Sequence, residues 1–347
     1  MARQPDPTSA RALWYVSPGH IELRDEMLRK PAEGEVLVAT SFSGVSRGTE
    51  RLVMAGKVGQ GEWERMRAPM QAGDFPFPVK YGYCATGIVE AGDKQLIGRP
   101  VFVLHPHQDR FIAPVDFVTP LPDGLPIRRA TLAANMETAL NALWDSGAAP
   151  ADRIVVVGGG IVGLLVGYLA ARLPGAEVTL IDVADERRTL AEKLGMRFSP
   201  PPTAPSGLPA KAGITGGESE GAHQYDADVV FHTSASVPGL ATAIGAAGME
   251  ATVIELSWYG EGTVAAPLGG AFHSRRLKLI SSQVGQVSAG HRTRWNYRRR
   301  LNAALELLKD DRLDALITEE IAFADAPAML PSLLARDAKG LAPVVKY

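Results

Sequence analysis

The run Arg153-Ile154-Val155-Val156-Val157 breaks into Gly158-Gly159-Gly160 and resumes as Ile161-Val162-Gly163. An apolar run that stops at glycines and continues with helical periodicity reads as strand, tight turn and helix. In that pattern Gly158 permits the sharp turn, Gly160 lets the backbone approach a pyrophosphate, and Gly163 lets the helix pack close to the strand. The N–H groups exposed at the helix start, at Ile161 and Val162, then face the phosphates. A second β-rich run, Glu177 to Ile181, is closed by Asp182. That is about 20 residues past the turn, where an acid grips the adenosine ribose hydroxyls. The chemistry predicted is dinucleotide binding. The Asp182 carboxylate would repel the extra phosphate of NADP, so NAD(H) is expected over NADP(H), although Arg187 and Arg188 stand near enough to hold such a phosphate.

The elements needed to position these residues follow from the patterning. Short β-rich runs at Ala12 to Glu22 and Glu35 to Phe42, then at Gly87 to Glu90, Pro100 to Leu104 and Phe111 to Pro114, are separated by Pro, Gly and Asp, as an antiparallel, barrel-like module requires. Polar loops are expected at Ser43 to Glu50 and Gly73 to Tyr83, with a short helix near Glu62 to Met66. Arg128 to Asp145 carries Leu132, Met136, Ala139, Leu140 and Leu143 on one helical stripe. Beyond it, helices and strands alternate from Val162 to Ser281, which means a doubly wound α/β unit with a parallel sheet. A helix over Thr293 to Lys309 and a strand near Leu341 to Val345 return to the first module. The expected division is a catalytic domain of residues 1–134 and 291–347 and a dinucleotide domain of residues 135–290. The Pro-, Gly- and Ser-rich stretch Ser199 to Gln224 reads as a surface insertion and is assigned no chemistry.

Composition narrows the function classes. A length of 347 residues favours two domains, and a formal net charge of −2 supplies no basic field for nucleic acid. The longest apolar stretch near the turn, Ile154 to Leu173, already has a strand-and-turn explanation, so no membrane span is expected. Met1 to Arg11 is polar, holds two prolines and lacks the apolar core of a signal peptide, so a cytoplasmic protein is expected. Cys84 is the single cysteine, which excludes an intrachain disulfide and a cysteine-rich zinc site.

A β-rich N-terminal module, a helix entering a central dinucleotide fold and a C-terminal return resemble the medium-chain dehydrogenase/reductase superfamily over almost the whole chain. Its N-terminal catalytic domain is GroES-like. Ser43-Gly44-Val45-Ser46 is similar to the segment where alcohol dehydrogenases carry Gly-Ile-Cys, and Tyr81-Gly82-Tyr83-Cys84 to the one where they carry Gly-His-Glu. Leu132 to Leu143, which includes Thr138, resembles the segment that holds the third zinc ligand. The resemblance thus implies that Ser46, Tyr83 and Ala134 stand where a zinc-dependent member has its ligands. A serine, a tyrosine and an alanine cannot hold zinc at neutral pH. It therefore implies a zinc-independent member in which Tyr83 and Ser46 donate hydrogen bonds to the substrate oxygen, their alternative role being to fill vacated space. Arg47 is implied as a contact to the cofactor pyrophosphate, and Thr138 is grouped with the cofactor residues.

The activity implied is transfer of a hydride between a nicotinamide and a small carbonyl/alcohol substrate, by a homodimer. Alternatives are a quinone or enone reductase acting on C=C, and a nucleotide-binding protein without turnover. The loop Ser43 to Glu50 also resembles the bacteriochlorophyllide dehydrogenase branch. Glu50 and Glu137 rank below the hydroxyls, each readable as an ion-pair partner, and Glu137 as facing solvent. His105 and His107 read chiefly as a surface loop, with a proton carrier or a metal site as alternatives. Arg298, Arg299 and Arg300 read as a solvated helix face, and Trp258 with Tyr259 as the wall of a nicotinamide or substrate pocket, or as core.

Overall fold

The structure is a computed structural model and describes residues 8–202 and 225–347. Most of the expected insertion at Ser199 to Gln224, and the start of the chain before Thr8, lie outside the described residues. The chain divides into two units, one of Met1–Met136, Gly260–Gly262 and Arg298–Tyr347, the other of Glu137–Tyr259 and Thr263–Tyr297.

The first unit is β-rich. Its strands in chain order are β1 (Thr8–Ser17), β2 (His20–Leu28), β3 (Glu35–Gly44), β4 (Ala72–Gly73), β5 (Val79–Lys80), β6 (Ala85–Gly92), β7 (Pro100–Val103), β8 (Arg110–Pro114) and β9 (Val118–Pro120). The run expected as one strand at Ala12 to Glu22 is the middle of a hairpin, because Pro18-Gly19 turns the chain and Gly19 holds φ +74°. The loop expected at Ser43 to Glu50 contains the start of a helix, α1 (Arg47–Met54). The helix expected near Glu62 to Met66 is reduced to a 3₁₀ turn at Gln60–Glu62. Long β3 pairs with both β6 and β8 along its apolar residues, and Val36, Val38, Ala85, Val89, Val101, Val103 and Phe111 form a buried core between them. At about 25 cal/mol per Å² of apolar surface, such closely packed valines supply much of the drive for folding. The expected helix Arg128 to Asp145 is two helices, α2 (Ile127–Ala130) and α3 (Ala133–Ser146).

The second unit carries a six-stranded parallel sheet: β10 (Arg153–Val157), β11 (Glu177–Ile181), β12 (Arg197–Ser199), β13 (Ala227–His232), β14 (Ala247–Glu255) and β15 (Lys278–Ser281). Their order is β12-β11-β10-β13-β14-β15, with α4 (Ile161–Ala170), α5 (Arg188–Lys193), α6 (Val237–Ala246) and α7 (Gly270–Ser274) between strands. This is the doubly wound arrangement. β10 is buried along Ile154 to Val157, as a strand covered on both faces must be. The chain then returns to the first unit through α8 (Tyr297–Leu307), β16 (Glu320–Ala322), α9 (Ala326–Leu333) and β17 (Val344–Lys346), and β17 pairs antiparallel with the end of β3. Among the described residues no helix is long and apolar enough to cross a membrane.

Candidate functional site

Gly158 leaves β10 at φ +112°, a conformation that strains any residue with a Cβ. A Cβ on Gly163 would collide with the Gly158 carbonyl oxygen, so α4 can sit on the turn only because that position is bare. Gly160 is the N-cap of α4, no side chain caps the helix there, and the space where a Gly160 Cβ would stand is open. Ile161 and Val162, both half-buried, begin the helix. Directly after β11, Asp182 accepts the Gly159 N–H with one carboxylate oxygen and the Ala184 N–H with the other, the latter at 2.7 Å. The stem of Arg187 lies against the same turn, 3.2 Å from where a Gly159 Cβ would be. An open glycine turn at a helix N-terminus with an acid fixed beside it fits a dinucleotide. Thr138 is half-buried on α3 in the same unit.

In the first unit, three segments far apart in sequence converge. A Cβ at Gly44 would lie 2.9 Å from Thr131 O and 3.2 Å from Cys84 Cβ. Ser46 precedes α1, yet its hydroxyl caps nothing in that helix. The hydroxyl instead accepts a 2.5 Å hydrogen bond from the Tyr83 hydroxyl, which also lies 3.3 Å from Thr49 Oγ1. Burial pushes the Tyr83 phenol well above its usual range, so it keeps its proton and donates. Ser46 therefore accepts from Tyr83 while its own proton remains available to an oxygen. Ala134 is buried and carries no ligating atom. Among the described residues no three His, Cys, Asp or Glu side chains group to hold a metal ion. This donor set does not fit zinc.

Glu50 was ranked low on sequence and proves central. It is fully buried, accepts the Ser46 N–H at 2.6 Å and the Tyr15 hydroxyl at 2.7 Å, and meets His107 Nε2 at 3.0 Å. His107 Nδ1 lies 2.6 Å from Ser43 Oγ, which lies 2.8 Å from the Tyr347 hydroxyl. A serine followed by an acid one helical turn later was a signal for this contact, since an acid in the first turn reaches back to the free N–H groups of the helix start. The partners beyond Glu50 left no local signal.

Other expectations are corrected. His105 and His107 are buried, not on a surface loop, and they diverge: His105 stacks on Phe111 with ring centroids 3.7 Å apart. Burial pushes the His105 imidazole down to about 3, so the ring is uncharged near neutral pH. Glu137 is also buried, and does not face solvent. The Arg47 guanidinium, expected on a pyrophosphate, donates to the carbonyls of Leu333, Ala338 and Gly340, because the end of α9 and the chain after it leave carbonyls that need donors. Nor are the three consecutive arginines all solvated: Arg298 donates to Val118 O at 2.6 Å and to Thr119 Oγ1 at 2.8 Å, and Arg300 is buried. Tyr259 donates to Glu255 Oε2 at 3.3 Å.

No family model matches the chain. The 2-dehydro-3-deoxy-L-galactonate 5-dehydrogenase of Pseudoalteromonas atlantica is 25% identical over 169 residues, and the match spans 48% of this chain and only 46% of that relative's length. L-idonate 5-dehydrogenase of Escherichia coli superposes with a TM-score of 0.76 over 98% of this chain and 99% of its own, at 13% identity. A dehydrogenase of Sinorhizobium meliloti 1021, assigned as zinc-binding and solved with NADP, gives 0.74 over 98% and 100% at 17% identity. The fold is that of the medium-chain dehydrogenases, a GroES-like unit with a Rossmann unit.

Proposed function

We propose that the protein is a medium-chain dehydrogenase/reductase that moves a hydride between NAD(H) and a small carbonyl/alcohol substrate without catalytic zinc. The observation that carries the reading is the contact of Asp182 with the Gly159 N–H, which fixes an acid against an open glycine turn. Bound there, a nicotinamide dinucleotide supplies or accepts the hydride. All three proteins named above are dehydrogenases, which supports the reaction class. The chain's own part is to hold the cofactor and to meet the charge that develops on the substrate oxygen. Ser46 donates to that oxygen, and Tyr83, kept neutral by burial, donates to Ser46 and stabilises the charge through it. Ser46 and Tyr83 in place of ligands support zinc independence.

The test is calorimetry with NADH and NADPH, followed by NADH oxidation against a panel of aldehydes and ketones on protein assayed for zinc. Binding of NADH tighter than NADPH, turnover of one carbonyl, and far less than one zinc per chain are expected. One zinc per chain overturns zinc independence, tighter NADPH overturns the role of Asp182, and binding without any turnover leaves a nucleotide-binding protein in place of an enzyme.

A further inference from the structure

A second polar constellation lies in the Rossmann unit, on the far side of the glycine turn from Asp182. His232 ends β13 and Glu255 ends β14, and the two are register partners across adjacent strands. His232 Nδ1 is 2.7 Å from Glu255 Oε2, and its Nε2 is 2.7 Å from Ser234 Oγ. The imidazole is completely buried. Burial raises the Glu255 carboxyl, but the hydrogen bond from His232 and the Ser257 N–H at 2.7 Å outweigh it and hold it below its usual range. An ionised carboxylate only accepts, so the imidazole proton sits on Nδ1 and Nε2 takes the Ser234 hydroxyl proton. Ser236 Oγ, 2.9 Å from Ser234 Oγ, accepts the Gly239 N–H at 3.1 Å and so turns its own proton to Ser234. Ser234 is left with one acceptor lone pair.

The chain around this oxygen is shaped to keep it there. A Cβ on Gly239 would collide with Ser234 Oγ and lie 2.9 Å from His232 Nε2. Ala235 stands at φ +49°, in the left-handed region that a residue with a Cβ seldom adopts. A Cβ on Gly158 would lie 2.8 Å from Ser234 N, and Thr233 Oγ1 donates to Gly158 O at 2.8 Å. Gly158 and Ser234 therefore face each other where the strand order turns, β10 to β11 on one side and β10 to β13 on the other. Ligands of open α/β sheets cross at that point.

We propose that Ser234, held by the His232–Glu255 pair, is a positioning residue that accepts a hydrogen bond from a hydroxyl of the second, nicotinamide-side ribose. The inference rests on the dinucleotide reading above. With Asp182 on the β11 side of the turn, the half of the ligand beyond the pyrophosphate passes over the ends of β13 and β14, where this lone pair waits for a donor.

Calorimetry on the full chain with AMP, ADP-ribose and NADH tests it, because AMP ends before the second ribose and ADP-ribose includes it. S234A should weaken ADP-ribose and NADH about 5- to 30-fold, one hydrogen bond's worth, and leave AMP within about twofold. G239A should show the same selective loss by displacing the hydroxyl, and S234T should recover most of the affinity. A merely structural role would lower AMP affinity and thermal stability together. Unchanged ratios of ADP-ribose to AMP affinity in S234A overturn this inference alone. A wild-type chain that binds none of the three overturns the nucleotide reading and this inference with it.

Discussion

The Tyr83 hydroxyl donates to Ser46 Oγ at 2.5 Å, and no part of α1 claims the serine hydroxyl. The two act in series, so removing either breaks the same chain of donors. Y83F and S46A are each expected to lower kcat about 10²-fold, the usual size of one lost oxyanion donor. The double variant should be little worse than either single one, since groups that act as a unit are not additive. Additive losses would show that the two hydroxyls act independently, and a Y83F enzyme within about threefold of wild type would show that the pair merely fills space.

Glu50 gathers the Ser46 N–H, the Tyr15 hydroxyl and His107 with no exposure to water. Removing one member of such a buried set strands the others without partners. E50A should cost about 3 to 5 kcal/mol of unfolding free energy, the range for breaking a buried pair. Urea titration measures it. A loss under about 1 kcal/mol would mean that water enters and replaces the carboxylate.

His105 makes stability depend on pH in a defined direction. Its folded-state value is pushed down to about 3 by burial, while the unfolded imidazole titrates near about 6.5, so between those values the unfolded chain binds the extra proton. The stabilisation is complete above about 6.5 and is lost as the pH falls toward 3. H105F keeps a ring on Phe111 but cannot titrate. Between pH 7 and pH 4 the wild type should lose about 2 to 3 kcal/mol more than H105F in urea titrations. Parallel curves would show that the ring is hydrated and protonates in place.

The Rossmann unit was legible because its signal is local: strand, glycines, helix, second strand and Asp182 follow one another in sequence, and each can be read from its neighbours. The hairpin at Gly19 and helix α1 were missed because each element is short. Thr8–Ser17 and His20–Leu28 are separated by a two-residue turn, and α1 has eight residues with a polar start. The buried network was invisible for a different reason. Ser43 and Tyr347 lie 304 positions apart, and Glu50 and His107 lie 57 apart, so only the completed sheet, in which β3 pairs with both β17 and β8, brings them together. The same holds for Arg47, whose acceptors come from the end of α9 and the chain after it.

The last strand of the Rossmann sheet, β15, pairs with β14 on one side and ends the sheet on the other. Leu279 and Ile280 on it are each 36% exposed. An apolar edge strand with free N–H and C=O groups is a template for another strand, and a lysine on such an edge discourages pairing. β15 carries Lys278 only at its beginning, so its apolar middle is unguarded. Pairing the same edge across a two-fold axis would cover both copies at once and close the assembly at two chains. Light scattering at micromolar concentration is therefore expected to give twice the 36.9 kDa chain mass. I280K, which adds a charge to the middle of the edge and leaves the β14 hydrogen bonds in place, should shift the mass toward a single chain without lowering the melting temperature of the monomer. A wild type at the mass of one chain, or an I280K variant that stays dimeric, would mean that this edge is not the interface.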